Sequence, residues 1–338
     1  MSGSDAGVPV ITASAPGRVG IIGNPTDMYG GTVISVTTRE RAKCTLRPAE
    51  GLALACGGAE LVVRSESHLA PCGDALDIAR AVCRHFGVGP DAGMRLEMST
   101  EVAVQAGMGG SAALIVAAVG ALDRWFGWSL HPWALAETAR KVEYRTLGVL
   151  CGFQDAHMAV FGGLNLIDCR GKASLEQSED EPLVTVELLS PYCGEVPLIA
   201  AHTGVKHHSG DVHRSPRERW LEGDREVVEG YEEVARLARL GKRALLERDW
   251  KRLGALMNEN HRIVAALGGS GPANERLIGA ARSAGAYGAK LAGAGGGGTI
   301  LALTDDPDRV SAALLEAGAD RLFTPTPCEG LAVTGDAL

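Results

Sequence analysis

The chain has 338 residues, a formal net charge of −8 and 45 glycines, about 13% where about 7% is usual. At roughly 100–200 residues per domain the length points to two domains, and a hydrophobic content of 46% excludes a disordered chain. The acidic balance argues against nonspecific nucleic-acid binding, which needs a basic face, and no apolar run reaches the ~20 residues of a membrane span.

In chain order, Met1 to Val8 is polar with no apolar stretch, so no signal peptide is expected. Val10–Ser14, Thr32–Thr38, Ala42–Leu46 and Leu61–Arg64 read as strands, being short and rich in β-branched residues. Ala75–Phe86 has helical periodicity and stops at Gly87. Met94–Ser99 alternates as a strand. Ala112–Phe126 is apolar all round, the pattern of a buried helix. Pro132–Thr146 and Phe153–Phe161 read as helices and Leu164–Asp168 as a strand. The acidic stretch 171–182 is the best candidate linker or domain edge. Beyond it come a strand at Val196–His202, helices at Arg219–Arg239, Lys242–Leu256 and Ala273–Ala284, a strand at Thr299–Thr304 and a helix at Asp306–Ala317. The eight cysteines form no C-x-x-C pair, the usage of reduced thiols in a cytoplasmic protein.

Thirteen of the 45 glycines fall in three loops, 17–31, 107–110 and 293–298. A glycine loop that opens a helix is an anion site, because free N–H groups and the helix dipole point the same way. Gly107–Ser111, before the apolar helix, has that form; tight packing or a hinge is the plainer alternative. No Lys follows it, so it is not a Walker loop. Gly293, Gly295 and Gly298 match G-x-G-x-x-G, but a helix precedes and a strand follows, which excludes a dinucleotide fingerprint.

The three loops resemble, in order and spacing, the signatures of the GHMP kinases, the superfamily of galactokinase, homoserine kinase and mevalonate kinase. The segments are Ala15-Pro-Gly-Arg-Val-Gly-Ile-Ile-Gly-Asn-Pro-Thr-Asp27 with Gly30-Gly31, then Gly107-Met-Gly-Gly-Ser-Ala-Ala113, then Lys290-Leu-Ala-Gly-Ala-Gly-Gly-Gly-Gly298. Within the superfamily the chain is most similar to glucuronokinase. That similarity lies in Asn24-Pro25, in Gly152-Phe-Gln-Asp155 followed by Phe161-Gly-Gly163, and in the segment Ser209–Trp220.

The resemblance implies an α+β fold of two domains. These are a ribosomal-protein-like N-terminal domain over residues 1–185 and a ferredoxin-like C-terminal domain over 186–338, with the active site between them. It implies ATP, with its phosphates held by Gly107, Met108, Gly109, Gly110, Ser111 and Ala112, and Mg²⁺ held by Ser111 and Glu143. Gly110 departs from the pattern, since most members have a second Ser there. Asp155 is then the general base and Arg18 its electrostatic partner, an Arg being unable to act as a base itself. Asn24, Asp27, Gln154, Gly295, Gly296 and Arg217 are implied substrate contacts. Taken singly, these residues have plainer readings: Glu143 as a surface helix charge, Asp155 as a helix cap, Arg18 as a surface charge and Asp27 as an Asx-turn.

The segment His202–Arg219 gathers Lys206, His207, His208, His213, Arg214, Arg217 and Arg219. It is either a solvated basic loop or a pocket for a sugar carboxylate, which Arg grips in bidentate fashion. The expected activity is therefore an ATP- and Mg²⁺-dependent kinase for the anomeric hydroxyl of a uronic acid, glucuronate first. Galacturonate, galactose, arabinose or mevalonate are alternative substrates, and a non-catalytic sugar sensor on the same fold is the rival class. The presence of Asp155, Glu143 and Ser111 favours the enzyme. No nucleic-acid or membrane partner is expected, and the oligomeric state is open.

Overall fold

The computed structural model describes residues 10–103, 106–172, 181–205, 215–293 and 298–335. Its larger sheet is built around two long antiparallel strands, β1 (Ile11–Ile22) and β2 (Thr32–Pro48). Residues 32–38 of β2 are all buried and mostly β-branched, which suits a strand covered on both faces. The sheet continues with β3 (Leu52–Cys56), β4 (Ala59–Val63) and, after the helix α1 (Asp77–Phe86), β5 (Met94–Thr100). β5 pairs with β2 and lies parallel to β3.

Next come α2 (Gly110–Phe126), α3 (Pro132–Lys141) and α4 (Gln154–Phe161). The apolar α2 packs on β1 and β2 with α3 and α4 on its other side, so it is buried all round, as its composition requires. β6 (Leu164–Asp168) and β7 (Thr185–Leu188) form an antiparallel pair attached to the start of β2. The acidic stretch expected as a linker therefore lies between two strands of one sheet. A division after residue 185 falls inside β7.

The short α5 (Ser190–Cys193) leads to β8 (Leu198–His202), and then α6 (Pro216–Leu221), α7 (Arg225–Leu246), α8 (Trp250–Ala266) and α9 (Pro272–Ser283) follow. β9 (Gly288–Leu291), β10 (Thr299–Leu303), α10 (Pro307–Glu316), β11 (Arg321–Phe323) and β12 (Ala332–Thr334) complete the chain. The smaller sheet is antiparallel, in the order β11-β8-β10-β9. Its core joins Ile199 and Ile300 to Leu277 of α9 and Val310 and Leu314 of α10. β12 returns to pair with β1. Two sheets with largely segregated helices make this an α+β fold, as expected.

Several boundaries differ from the sequence reading. Thr32–Thr38 and Ala42–Leu46 are one strand. The helices expected at Arg219–Arg239 and Lys242–Leu256 are shifted. Asp224 and Asp249 cap α7 and α8, accepting from the backbone N–H of Glu226 and Arg252. Gly241 does not end α7. A Cβ there would lie 3.1 Å from Ile22 Cγ2, so the glycine lets the helix close on β1. A strand, β9, and not a helix directly precedes the C-terminal glycine loop, which therefore joins two strands and opens no helix. No helix is long and apolar enough to cross a membrane among the described residues, and all eight cysteines are free thiols.

Candidate active site

The three glycine loops meet. The Arg18 N–H donates to Met108 O at 2.9 Å, and the Gly20 N–H to Ala292 O at 2.9 Å. A Cβ on Gly293 would lie 2.9 Å from Gly107 Cα, so only glycine lets these two backbones touch. The central loop ends at Gly109, whose φ is +72°, and α2 starts at Gly110. Met108 and Ala112 are buried. Ser111 is the second residue of α2, beside its free N–H groups and positive dipole end.

Arg18 on β1 reaches Asp155 in the first turn of α4. Its Nε donates to Asp155 Oδ1 at 2.7 Å, its Nη2 donates to the same oxygen, and its Nη1 donates to Gly107 O at 2.5 Å. Arg18 is buried, whereas the Asp155 side chain is 21% exposed. Asp155 Oδ2 lies on the central-loop side, 3.6 Å from where a Gly109 Cβ would stand. The arrangement holds one carboxylate oxygen firmly and turns the other toward the loop.

Asp27 lies beside this pair in a 3-10 turn, Thr26–Tyr29. Its carboxylate accepts from the Gln154 backbone N–H (3.0 Å) and the Gln154 side-chain amide (3.2 Å). Gln154 Oε1 in turn accepts from the Ser35 hydroxyl at 2.9 Å. Burial, and then the charge of Asp155, push the Asp27 carboxyl up to about 6.

Glu143 is not on a regular helix face. The expected helix Pro132–Thr146 ends at Lys141, and Val142–Thr146 forms a π-helical turn, closed by the Leu147 N–H on Val142 O at 2.9 Å. The widened turn carries Glu143 into the interior, where it is 5% exposed. Its carboxylate accepts hydrogen bonds from the Ser111 hydroxyl and the Cys151 thiol. Burial, and then Asp155, raise it to about 7. Ser111 and Glu143 are hard oxygen donors in mutual contact, the donor type Mg²⁺ prefers. A divalent cation would offset the buried carboxylate charge, so the residues fit the ion that the sequence implies. Among the described residues no three His, Cys, Asp or Glu side chains converge as a metal cage.

The remaining expected residues are distributed differently. Gly295 and Gly296 lie outside the described residues, as do Lys206, His207, His208, His213 and Arg214. Asn24 is 1% exposed and its amide is engaged within the protein. Arg217 shares one face of α6 with Trp220, three residues on. Trp220 packs on Tyr29 with ring centroids 5.0 Å apart, and Tyr29 stacks on Tyr231 at 4.6 Å. Arg217 Nε is buried and has no hydrogen-bond partner among the described residues. Arg219, by contrast, is paired with Asp224 (2.7 Å) and Glu226 (2.6 Å).

Sequence reasoning missed two supports. Arg140, one turn before Glu143, is 1% exposed. It lies 3.7 Å over the Phe153 ring and donates to Gly152 O at 3.2 Å, fixing the segment that enters α4. Lys290 was read only as part of a glycine signature; it is buried against Asn24.

The site sets a glycine-loop helix start beside an Arg-held carboxylate and a hydroxyl–carboxylate pair, groups of the kind that small-molecule phosphoryl transfer uses. Residues 74–163 match the family model for the GHMP kinases N-terminal domain, and residues 242–320 that for GHMP kinases C terminal. A mevalonate kinase of Thermococcus sibiricus is 32% identical over 247 residues, 71% of this chain and 69% of that protein. The probable glucuronokinase 2 of Arabidopsis thaliana is 29% identical over 341 residues, covering 92% of this chain and 88% of its own. The structure of Lactococcus lactis galactokinase complexed with galactose has the same fold, with a TM-score of 0.76 at 18% identity over 96% of this chain and 95% of that one. The chain belongs to the GHMP kinases.

Proposed function

We propose that the protein transfers the γ-phosphoryl group of ATP to the anomeric hydroxyl of a uronic acid, glucuronate before others. The observation that carries the catalytic reading is the Arg18–Asp155 pair set against the central loop. Asp155 Oδ2 accepts the proton of the attacking hydroxyl. Arg18 keeps the Asp155 carboxylate oriented and places fixed positive charge next to the transferring group, where negative charge is stabilised without reorganisation. The loop 107–110 and the start of α2 hold the triphosphate. Ser111 and Glu143 would hold Mg²⁺, which would supply charge neutralisation on the phosphates. Asp27, oriented by Gln154, accepts from a sugar hydroxyl.

Arg217 supports an acidic substrate. It shares the α6 face of Trp220, which packs on Tyr29, two residues from Asp27, and its Nε has no hydrogen-bond partner among the described residues. A carboxylate in that space would satisfy it. Glucuronate and mevalonate both carry a carboxylate, which suits a chain similar to kinases named for each. The match to the glucuronokinase extends over 92% of this chain against 71% for the mevalonate kinase, which favours the sugar acid. The assembled Ser111, Glu143 and Asp155 favour an enzyme over a sugar sensor.

The test is kcat/KM for glucuronate, galacturonate, glucose, galactose, arabinose and mevalonate, with wild type and Arg217→Met. Glucuronate is expected to exceed glucose by at least about 100-fold, and Arg217→Met to erase most of that preference. Equal values for glucuronate and glucose contradict the acid reading, and mevalonate turnover above that of every sugar replaces it.

A further inference from the structure

We infer that Asn24 and Lys290 form a clasp that holds Gly293 against Gly107 of the central loop, so that Asn24 governs nucleotide affinity and does not bind the sugar.

Lys290, on β9, is 1% exposed and points at the turn that follows β1. An ammonium has three donors. Lys290 Nζ meets three acceptors: Asn24 Oδ1 at 2.5 Å, Gly20 O at 3.5 Å and Leu291 O. The Asn24 amide nitrogen donates to Gly293 O at 2.6 Å and to Leu291 O at 3.3 Å. The carbonyl of Asn24 accepts from Asn260 of α8 at 3.5 Å, and the Gly23 N–H donates to the same Asn260 at 2.8 Å. A Cβ on Gly20 would stand 2.6 Å from Asn24 Oδ1, so the space around that oxygen is closed. Both donor hydrogens and the acceptor of this side chain are therefore spent inside the protein.

The clasp acts on the central loop through Gly293. One side of Gly293 is held by Asn24, and the other is pressed against Gly107. Gly107 O receives Arg18, and Thr299, at the start of β10, donates its hydroxyl to Ala106 O at 2.8 Å. Gly293, Gly298 and Thr299 thus buttress Ala106 and Gly107, which lead into the start of α2. Releasing the clasp frees this buttress while Asp27, Gln154 and Asp155 keep their own contacts. Asn24 and Lys290 are positioning residues in this account.

The inference rests on the nucleotide reading of the central loop. It is tested with Asn24→Ala, Lys290→Met and the double variant. For each, the Kd of a non-hydrolysable ATP analogue with Mg²⁺, the KM for glucuronate and the thermal unfolding curve are measured. Each single variant is expected to raise the nucleotide Kd about tenfold, with the sugar KM within about twofold. The double variant is expected to match the worse single one, because both remove one shared interaction. If Asn24→Ala does not fold, Asn24→Ser and Lys290→Met give the same reading, and Lys290→Met lies away from the sugar in any case. An Asn24 variant that raises the sugar KM and leaves nucleotide Kd unchanged overturns the clasp, as do independent, additive effects. A wild-type protein that binds nucleotide while all variants bind it equally overturns this inference alone. A wild type that binds no nucleotide overturns it together with the kinase reading.

Discussion

Arg18 and Asp155, 137 positions apart in sequence, are joined by two hydrogen bonds that fall on one carboxylate oxygen, Oδ1. The other oxygen is left toward the central loop. Charge-assisted bonds of this kind fix geometry as well as charge. Asp155→Asn keeps the shape and removes the proposed base. Turnover is expected to fall by about 10³-fold or more, with the nucleotide Kd within about twofold. Turnover near the wild-type value removes Asp155 from the role of base.

If Glu143 is a ligand of the proposed cation site, cation binding there depends on pH. Burial raises its carboxyl to about 7, so below that pH a cation must displace a proton to bind. The apparent Mg²⁺ affinity is expected to fall about tenfold per pH unit as pH drops below 7. Mn²⁺ or Mg²⁺ titrations at pH 6, 7 and 8 measure this. Glu143→Gln is expected to weaken cation binding and to flatten its pH dependence; a slope unchanged in that variant excludes Glu143 as the coupled group.

Asp27 ties stability to pH. Its pKa rises from 3.8 in the unfolded chain to about 6, so the folded state holds a proton the unfolded chain has lost. Stability from this group is fully present below 3.8 and is lost as pH rises through about 6. A shift of about two units corresponds to about 3 kcal/mol. Asp27→Asn removes this loss. Denaturant unfolding from pH 4 to 7.5 is expected to show the variant gaining on wild type across that window. A difference that does not vary with pH contradicts the assignment.

Gly152 is the residue where a small change reaches the site most directly. It is held between Arg140 and Asp27, and a Cβ would meet Asp27 Oδ2 at 1.9 Å. Gly152→Ala is expected to cost about 1–3 kcal/mol of stability, the range for overpacking, and to raise the KM for the sugar. Unchanged stability and kinetics mean that the Asp27–Gln154 contact yields without consequence.

The glycine loops and α2 were legible because composition and spacing are local signals, whereas Arg18, Asp27, Glu143 and Asp155 entered only through the family resemblance, each having a plainer reading alone. The meeting of Gly293 with Gly107 was legible only through family resemblance, since 186 positions separate them and no periodicity records a long-range contact. The inward turn of Glu143 was not legible. Pro132–Thr146 has an unbroken helical pattern, and nothing in it marks the π turn at Val142–Thr146 that carries the carboxylate. The end of α7 was missed because Gly241 reads as a breaker until Ile22 is placed beside it. Asn24 looked like a polar residue free for a ligand, and its acceptor was taken by Lys290, 266 positions away. Short strands such as β9 and β12 hold too few residues for alternation to show.

The account stands most directly on the product of the reaction. Protein incubated with ATP, Mg²⁺ and glucuronate is followed by ³¹P NMR, with the phosphorus–proton coupling assigning the esterified position. The account predicts ADP and a sugar acid phosphorylated at the anomeric carbon, formed by wild type and absent with Asp155→Asn. No transfer to glucuronate, with rapid transfer to mevalonate or to a neutral sugar, contradicts it.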